Sequence, residues 1–137
     1  MVIADTGFWV ALSSRRDPAH TRALAAVERH GDEGFVVTWP VITEACHLLA
    51  ARAGTDAVEA FLRGHARGGY EIAPADLHSP ERVLPLMEHY RDLPMDLADA
   101  SLVLLAAELG HGRILTTDSR DFHTYRWKSR APFENLL

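Results

Sequence analysis

Short apolar, β-prone runs alternate with longer helical stretches along the whole chain, and that alternation narrows the fold more than any other feature. Residues 2–4 read as a short buried strand ending in Asp5-Thr6-Gly7, and residues 35–38, 70–73 and 113–117 read as three more. Between them lie helical patterns. Residues 18 to about 30 place Ala23, Leu24 and Val27 on one face, with Asp17 as N-cap before Pro18. Pro40 opens a helix through Glu44 to about Ala53, closed by Gly54. Thr55 or Asp56 starts another, through Phe61 and Leu62, ending near Gly64 or Gly68. Ser79 begins a helix carrying Val83, Leu86 and Met87, and Pro94 and Asp96 introduce a strongly apolar one to about Leu109, stopped by Gly110. The tail, with Tyr125, Trp127 and Phe133, is expected to add a short edge strand. Strands alternating with helices predict an α/β domain with a mostly parallel sheet of four to five strands, covered on both faces. No linker, repeat or low-complexity stretch divides it, so residues 1–137 are expected to form a single domain.

In such sheets the functional crevice lies beyond the carboxyl ends of the strands. Asp5 and Asp118 are placed there by two different strands. Each acid also has a purely structural reading. Asp5 suits an Asx-turn at a strand-to-helix junction. Glu44 suits the exposed side or first turn of its helix, with Thr38 or Thr43 as a local cap. Asp96 and Asp99, three residues apart, suit an N-cap and the N3 position. Asp118 and Asp121 suit capping of a helical turn after the last strand, a role that fits Asp121 better, beside the core anchor Phe122. Asp99 is the least well explained this way, because an acid opening a nearly all-apolar helix needs a partner or a metal.

Taken together, acids at strand ends and helix starts can converge on one point, where like charges raise one another's pKa or demand a cation. Oxygen-only ligation suits Mg²⁺ or Mn²⁺. The single cysteine, Cys46, excludes an intramolecular disulfide and a Cys-rich zinc site, and the eight histidines lack a paired-ligand spacing. A lone cysteine also makes an intracellular home the default. No signal peptide and no membrane span are expected, which places the protein in the cytoplasm. The net charge of −5 runs against a generally basic nucleic-acid surface. Either the chain binds no nucleic acid, or its negative charge is concentrated where cations neutralise it.

The run Ile3-Ala4-Asp5-Thr6-Gly7, the mid-chain Glu44, the helix start Asp96-Leu97-Ala98-Asp99-Ala100-Ser101-Leu102 and the run Ile114-Leu115-Thr116-Thr117-Asp118-Ser119-Arg120-Asp121-Phe122 together resemble the PIN-domain ribonucleases, in order and across the whole chain. They look especially like the VapC toxins of bacterial toxin–antitoxin pairs. The resemblance implies a three-layer α/β/α domain and hydrolysis of RNA phosphodiesters to 5′-phosphate and 3′-hydroxyl ends. It further implies that Asp5 and Asp99 are the principal Mg²⁺ (or Mn²⁺) ligands, with Glu44 third, directly or through water. Asp118 would be fourth, orienting a second metal or the attacking water. Thr6 and Thr117 resemble small hydroxyl residues lining the site. Asp96 departs from four-acid arithmetic and ranks below Asp99, and Asp121 stands with it as a lining residue. The implied partners are RNA, a small co-encoded antitoxin that blocks the site, and a second copy of the chain. Apolar positions between residues 40 and 66 are candidates for such surfaces, and Arg15, Arg16, Arg52, Arg120 and Arg126 for RNA contact.

Two other families share the opening. Asp5-Thr6-Gly7 is also the triplet of aspartic proteases, which requires an all-β chain. A haloacid-dehalogenase-like phosphatase needs a second aspartate where Gly7 stands. A non-catalytic RNA- or protein-binding module on the same fold is the remaining alternative.

Overall fold

A computed structural model describes residues 1–137. Five strands form one sheet in the order β3-β2-β1-β4-β7, every neighbouring pair parallel. They are β1 (Val2–Ala4), β2 (Phe35–Val37), β3 (Glu71–Ile72), β4 (Arg113–Leu115) and β7 (Glu134–Asn135). β1 is central, with Ile3 opposite Val36 on one side and Ile114 on the other, and its three residues are wholly buried. A strand covered on both faces needs a continuous apolar run rather than alternation, and Val2-Ile3-Ala4 supplies one.

From β1 the chain steps to β2 and β3, then returns past β1 to β4. The helices α1 (Thr6–Ser13), α2 (His20–His30), α3 (Trp39–Ala53) and α4 (Thr55–Ala66) fill the first two crossovers and pack on one another. The return crossover carries α5 (Pro80–His89) and α6 (Leu97–Leu109), which pack together as a second group. Right-handed crossovers put those two groups on opposite faces. The result is the three-layer α/β/α arrangement, with thirty-three buried apolar residues in one continuous core. The order reverses between β1 and β4, so the topological switch point lies there. After β4 come α7 (Ser119–Thr124) and a small antiparallel hairpin, β5 (Arg126–Lys128) with β6 (Ala131–Pro132), before the tail adds the expected edge strand as β7.

Several local expectations shift. The second helix starts at His20, two residues beyond Pro18; Asp17 still accepts a hydrogen bond from the Ala19 N–H at 2.8 Å, but the N-cap position is Ala19. Its buried face includes Ala23, Ala26 and His30, and Leu24 is exposed. The helix after β2 begins at Trp39, and neither Thr38 nor Thr43 caps it by side chain: Thr43 bonds back to the Trp39 carbonyl, while Thr38 reaches Ser101. The cap after β4 belongs to Asp118, whose Oδ1 accepts from the Asp121 N–H at 3.1 Å, so Asp121 is at N3 rather than the capping residue. Asp96 and Asp99 take the expected N-cap and N3 positions of α6, with the Asp99 N–H donating to Asp96 Oδ1 at 2.8 Å. Such a cap is worth about 1 kcal/mol.

Candidate active site at the carboxyl edge of the sheet

Because every strand of the main sheet points the same way, the residues following β1, β2 and β4 emerge on one edge. Asp5 follows β1 directly and Thr116 follows β4, while α3 and α6 both begin at this edge and bring Glu44 and Asp99 to it. Asp5, Glu44, Asp99 and Asp118 line one cleft of about 320 Å³, joined by Asp96, Asp121, Thr6 and Thr117. All eight residues singled out from the sequence therefore meet there. Of the five arginines named as candidates for RNA contact, only Arg52 lines the cleft. Arg126 is committed elsewhere, donating to the carbonyls of His123, Thr124 and Tyr125.

Asp5 is held hard. Its Oδ1 accepts from the Thr6 N–H at 2.7 Å, and its Oδ2 accepts from the Thr116 hydroxyl at 2.7 Å. Thr116 in turn accepts from the Asp118 N–H at 3.0 Å, so one buried hydroxyl fixes two acids from different chain segments. With only 7 % of its surface exposed, Asp5 is pushed up to about 6 by burial, with Glu44 and Asp118 adding repulsion and the hydrogen bonds from Thr116 and Thr6 opposing it. Asp99 rises to about 7, chiefly from burial, then from Asp96 and Asp5. The Tyr125 hydroxyl donates to Asp99 Oδ2 at 3.1 Å, and burial together with that carboxylate pushes the phenol up, so Tyr125 stays a donor. Glu44 rises through burial and then Asp96, and Asp121 through burial and then its contact with Asp118.

Three supporting features escaped the sequence reading. Thr116 and Tyr125 hold the two most perturbed acids. In the third, Ser101 donates to the Ala98 carbonyl, leaving Thr38 to donate to Ser101 at 2.6 Å; this wholly buried pair pins the first turn of α6 against the end of β2. A hydroxyl directly after β4, the neighbour of the central strand, was the one available signal for Thr116. Gly7 has its own reason: a Cβ there would lie 1.9 Å from Thr117 Oγ1 and 3.1 Å from Thr117 Cβ, so the backbone of α1 can approach the loop after β4 only without a side chain.

The donor set suits a hard divalent cation, being oxygen throughout. The buried Thr6 hydroxyl faces Glu44 and opposes the upward push that burial and Asp96 give its carboxyl. No three His, Cys, Asp or Glu side chains are arranged to hold one metal ion by themselves.

The fold also matches a solved structure. The chain superposes on the crystal structure of Mycobacterium tuberculosis VapC20, a sarcin-ricin loop cleaving toxin, with a TM-score of 0.74 at 20 % identity, over 88 % of this chain and 92 % of that one. This is the PIN-like α/β/α fold. In sequence, the chain is 32 % identical over 125 residues to Ribonuclease VapC26 of Mycobacterium tuberculosis (strain ATCC 25618 / H37Rv), covering 91 % of this chain and 92 % of that protein. The chain belongs to the VapC family of PIN-domain ribonucleases. No family profile matches it. No helix is long and apolar enough to cross a membrane.

Proposed function

We propose that the cleft is the hydrolytic site of a Mg²⁺- or Mn²⁺-dependent endoribonuclease, with Asp5 and Asp99 holding the cation and Glu44 and Asp118 reaching it directly or through water. The observation that carries this reading is the crowding of carboxylates whose two most buried members are raised to about 6 and about 7, in a cleft with Arg52 as its one basic side chain. Near neutral pH such a cluster is costly unless a cation offsets it. A module that only bound RNA would gain nothing from that cost. When bound, the cation supplies positive charge to the scissile phosphate and an activated water. The chain's own part is positional. Thr116 and the Thr6 N–H orient Asp5, Tyr125 and the Asp96 cap orient Asp99, and Asp96 and Asp121 keep the rim acidic.

Family membership supports the remaining assignments: a toxin of a toxin–antitoxin pair, neutralised by a cognate antitoxin, acting as a cytoplasmic homodimer of single-domain chains of residues 1–137.

The test is cleavage of RNA by the intact protein with Mg²⁺, with Mn²⁺ and with chelator, for wild type, Asp5→Ala and Asp99→Ala, alongside melting temperature as the metal is titrated. Cleavage is expected only with metal, falling by at least ~10²–10³-fold in either variant, the scale on which charge-stabilising groups act. Metal is expected to raise the melting temperature of wild type by more than that of either variant. Undiminished cleavage in chelator, or equal activity in all three proteins, sinks the assignment.

A further inference from the structure

Two cavities flank the acid cleft, and they differ in chemistry. On one side, Glu44 and Asp96 are shared with a pocket of about 430 Å³ that is also lined by Trp39, Leu97, Thr43 and His78. On the other, Gly7, Leu48, Arg52 and Thr117 are shared with a smaller cavity that adds Arg22. Whatever occupies the cleft thus has an aromatic neighbour at one end and two guanidinium groups at the other.

We propose that the Trp39 pocket seats a nucleobase of the strand whose phosphate lies in the acid cleft, which makes Trp39 a specificity-determining residue. This rests on reading the cleft as a ribonuclease site. Trp39 and Leu97 open α3 and α6 respectively, and each keeps 49 % of its surface exposed. An indole left half-bare at the mouth of a site is a flat surface for base stacking. The pocket's lining includes two carboxylates and no lysine or arginine, so it disfavours a phosphate and tolerates a neutral base. The other end sets two guanidinium groups, Arg22 and Arg52, against the single carboxylate of Asp17 and suits the next phosphate along the strand. His78 also lines the pocket, its Nδ1 buried and without a hydrogen-bond partner. A base inside a helix cannot turn into a side pocket without leaving its stack, which is why the occupant comes from a loop or single strand.

The test compares one RNA oligonucleotide, single-stranded and annealed into a perfect duplex, with wild type, Trp39→Ala and Trp39→Phe in Mg²⁺ or Mn²⁺. KM and kcat are measured for each, together with oligomeric state by light scattering. Binding is read separately by tryptophan fluorescence in the Asp99→Asn background, where the strand stays intact. The single strand is expected to be cut and the duplex spared. Trp39→Ala should raise KM about tenfold, the scale of losing one base stack, and Trp39→Phe should recover most of it. The single strand should quench the fluorescence, and Trp39→Phe should abolish that quenching. Wild-type KM in Trp39→Ala overturns the pocket while leaving the ribonuclease reading intact. A change of oligomeric state in Trp39→Ala with KM unmoved overturns it too, in favour of a second copy covering Trp39. Quenching by RNA that wild type never cuts overturns the ribonuclease reading and keeps the base pocket.

Discussion

The two ends of the parallel sheet carry the same kind of group and treat it in opposite ways. At the amino end, Glu33 stands just before β2 and pairs with Arg113 at the start of β4, accepting from both guanidinium Nη atoms, and lies 2.9 Å from His30 Nδ1. Those bonds, Arg113 first and His30 second, pull its carboxyl down to about 2. At the carboxyl end, Asp5 and Asp99 face other acids and are pushed up to about 6 and about 7. A carboxylate is therefore matched with cations at the edge away from the cleft, and left unmatched at the edge where we propose that a cation binds. The amino end follows stability; the carboxyl end departs from it, as functional sites do.

The largest departure from this contrast should come from Thr116, because its hydroxyl serves only the carboxyl end. Thr116→Val keeps the shape, removes the donor to Asp5 and leaves the Asp118 N–H without its acceptor. We expect a 10- to 100-fold loss in metal affinity or activity, the scale on which groups supporting a metal ligand act. The discriminating readout is the metal concentration for half-maximal cleavage, which should rise in Thr116→Val and be recovered by Thr116→Ser. If cleavage falls with that concentration unchanged, Thr116 does not position a metal ligand.

Thr116 also marks where the sequence stopped being legible. The acids were readable because each sits at a strand end or helix start, where local pattern places it, and the Asp96–Asp99 capping pair is a purely local geometry. The residues that aim the acids were not, because their bonds span the chain: Thr116 to Asp5 across 111 residues, Thr38 to Ser101 across 63, Tyr125 to Asp99 across 26. No periodicity registers a hydroxyl meeting a carboxylate from another crossover. Leu24 failed for a different reason. Its spacing from Val27 fitted an apolar face, but the buried face is centred on Ala23, Ala26 and His30, which leaves Leu24 beyond its edge. The cap fell to Asp118 rather than Asp121 because β4 ends at Leu115, which places the cap three residues earlier than Asp121.

The contrast next predicts opposite pH dependences of stability. Asp5 and Asp99 have folded-state pKa values above the unfolded reference of 3.8, so the folded state holds protons that the unfolded chain has released. Their contribution is intact below pH 3.8 and is lost as pH rises towards 7. For buried Asp5 alone the loss is of order 2–3 kcal/mol, taking 1.36 kcal/mol per pKa unit. Metal-free wild type should therefore fall behind Asp99→Asn in denaturant midpoint as pH is raised from 4 to 7.5, and added Mg²⁺ should restore wild type but not the variant. A gap between the two proteins that stays constant across that range contradicts the carboxyl-end half of the comparison.

The smallest effect belongs to the amino end. The Glu33–Arg113 pair leaves about a third of each side chain exposed, so solvent screens it, and the pair contributes little to stability at physiological salt. Its sign is nevertheless fixed. Glu33 titrates at about 2 in the folded chain against 4.5 in the reference, so its contribution is present above pH 4.5 and fades as pH falls towards 2. Glu33→Gln should thus cost a small, salt-sensitive part of the melting temperature at pH 7, with the difference from wild type shrinking on acidification, and should cleave RNA at the wild-type rate. Asp99→Asn removes one negative charge as well, yet should gain stability without metal and lose cleavage. If Glu33→Gln lowered kcat as Asp99→Asn does, the two ends would be one coupled electrostatic system, and the division between a stabilising edge and a working edge would fail.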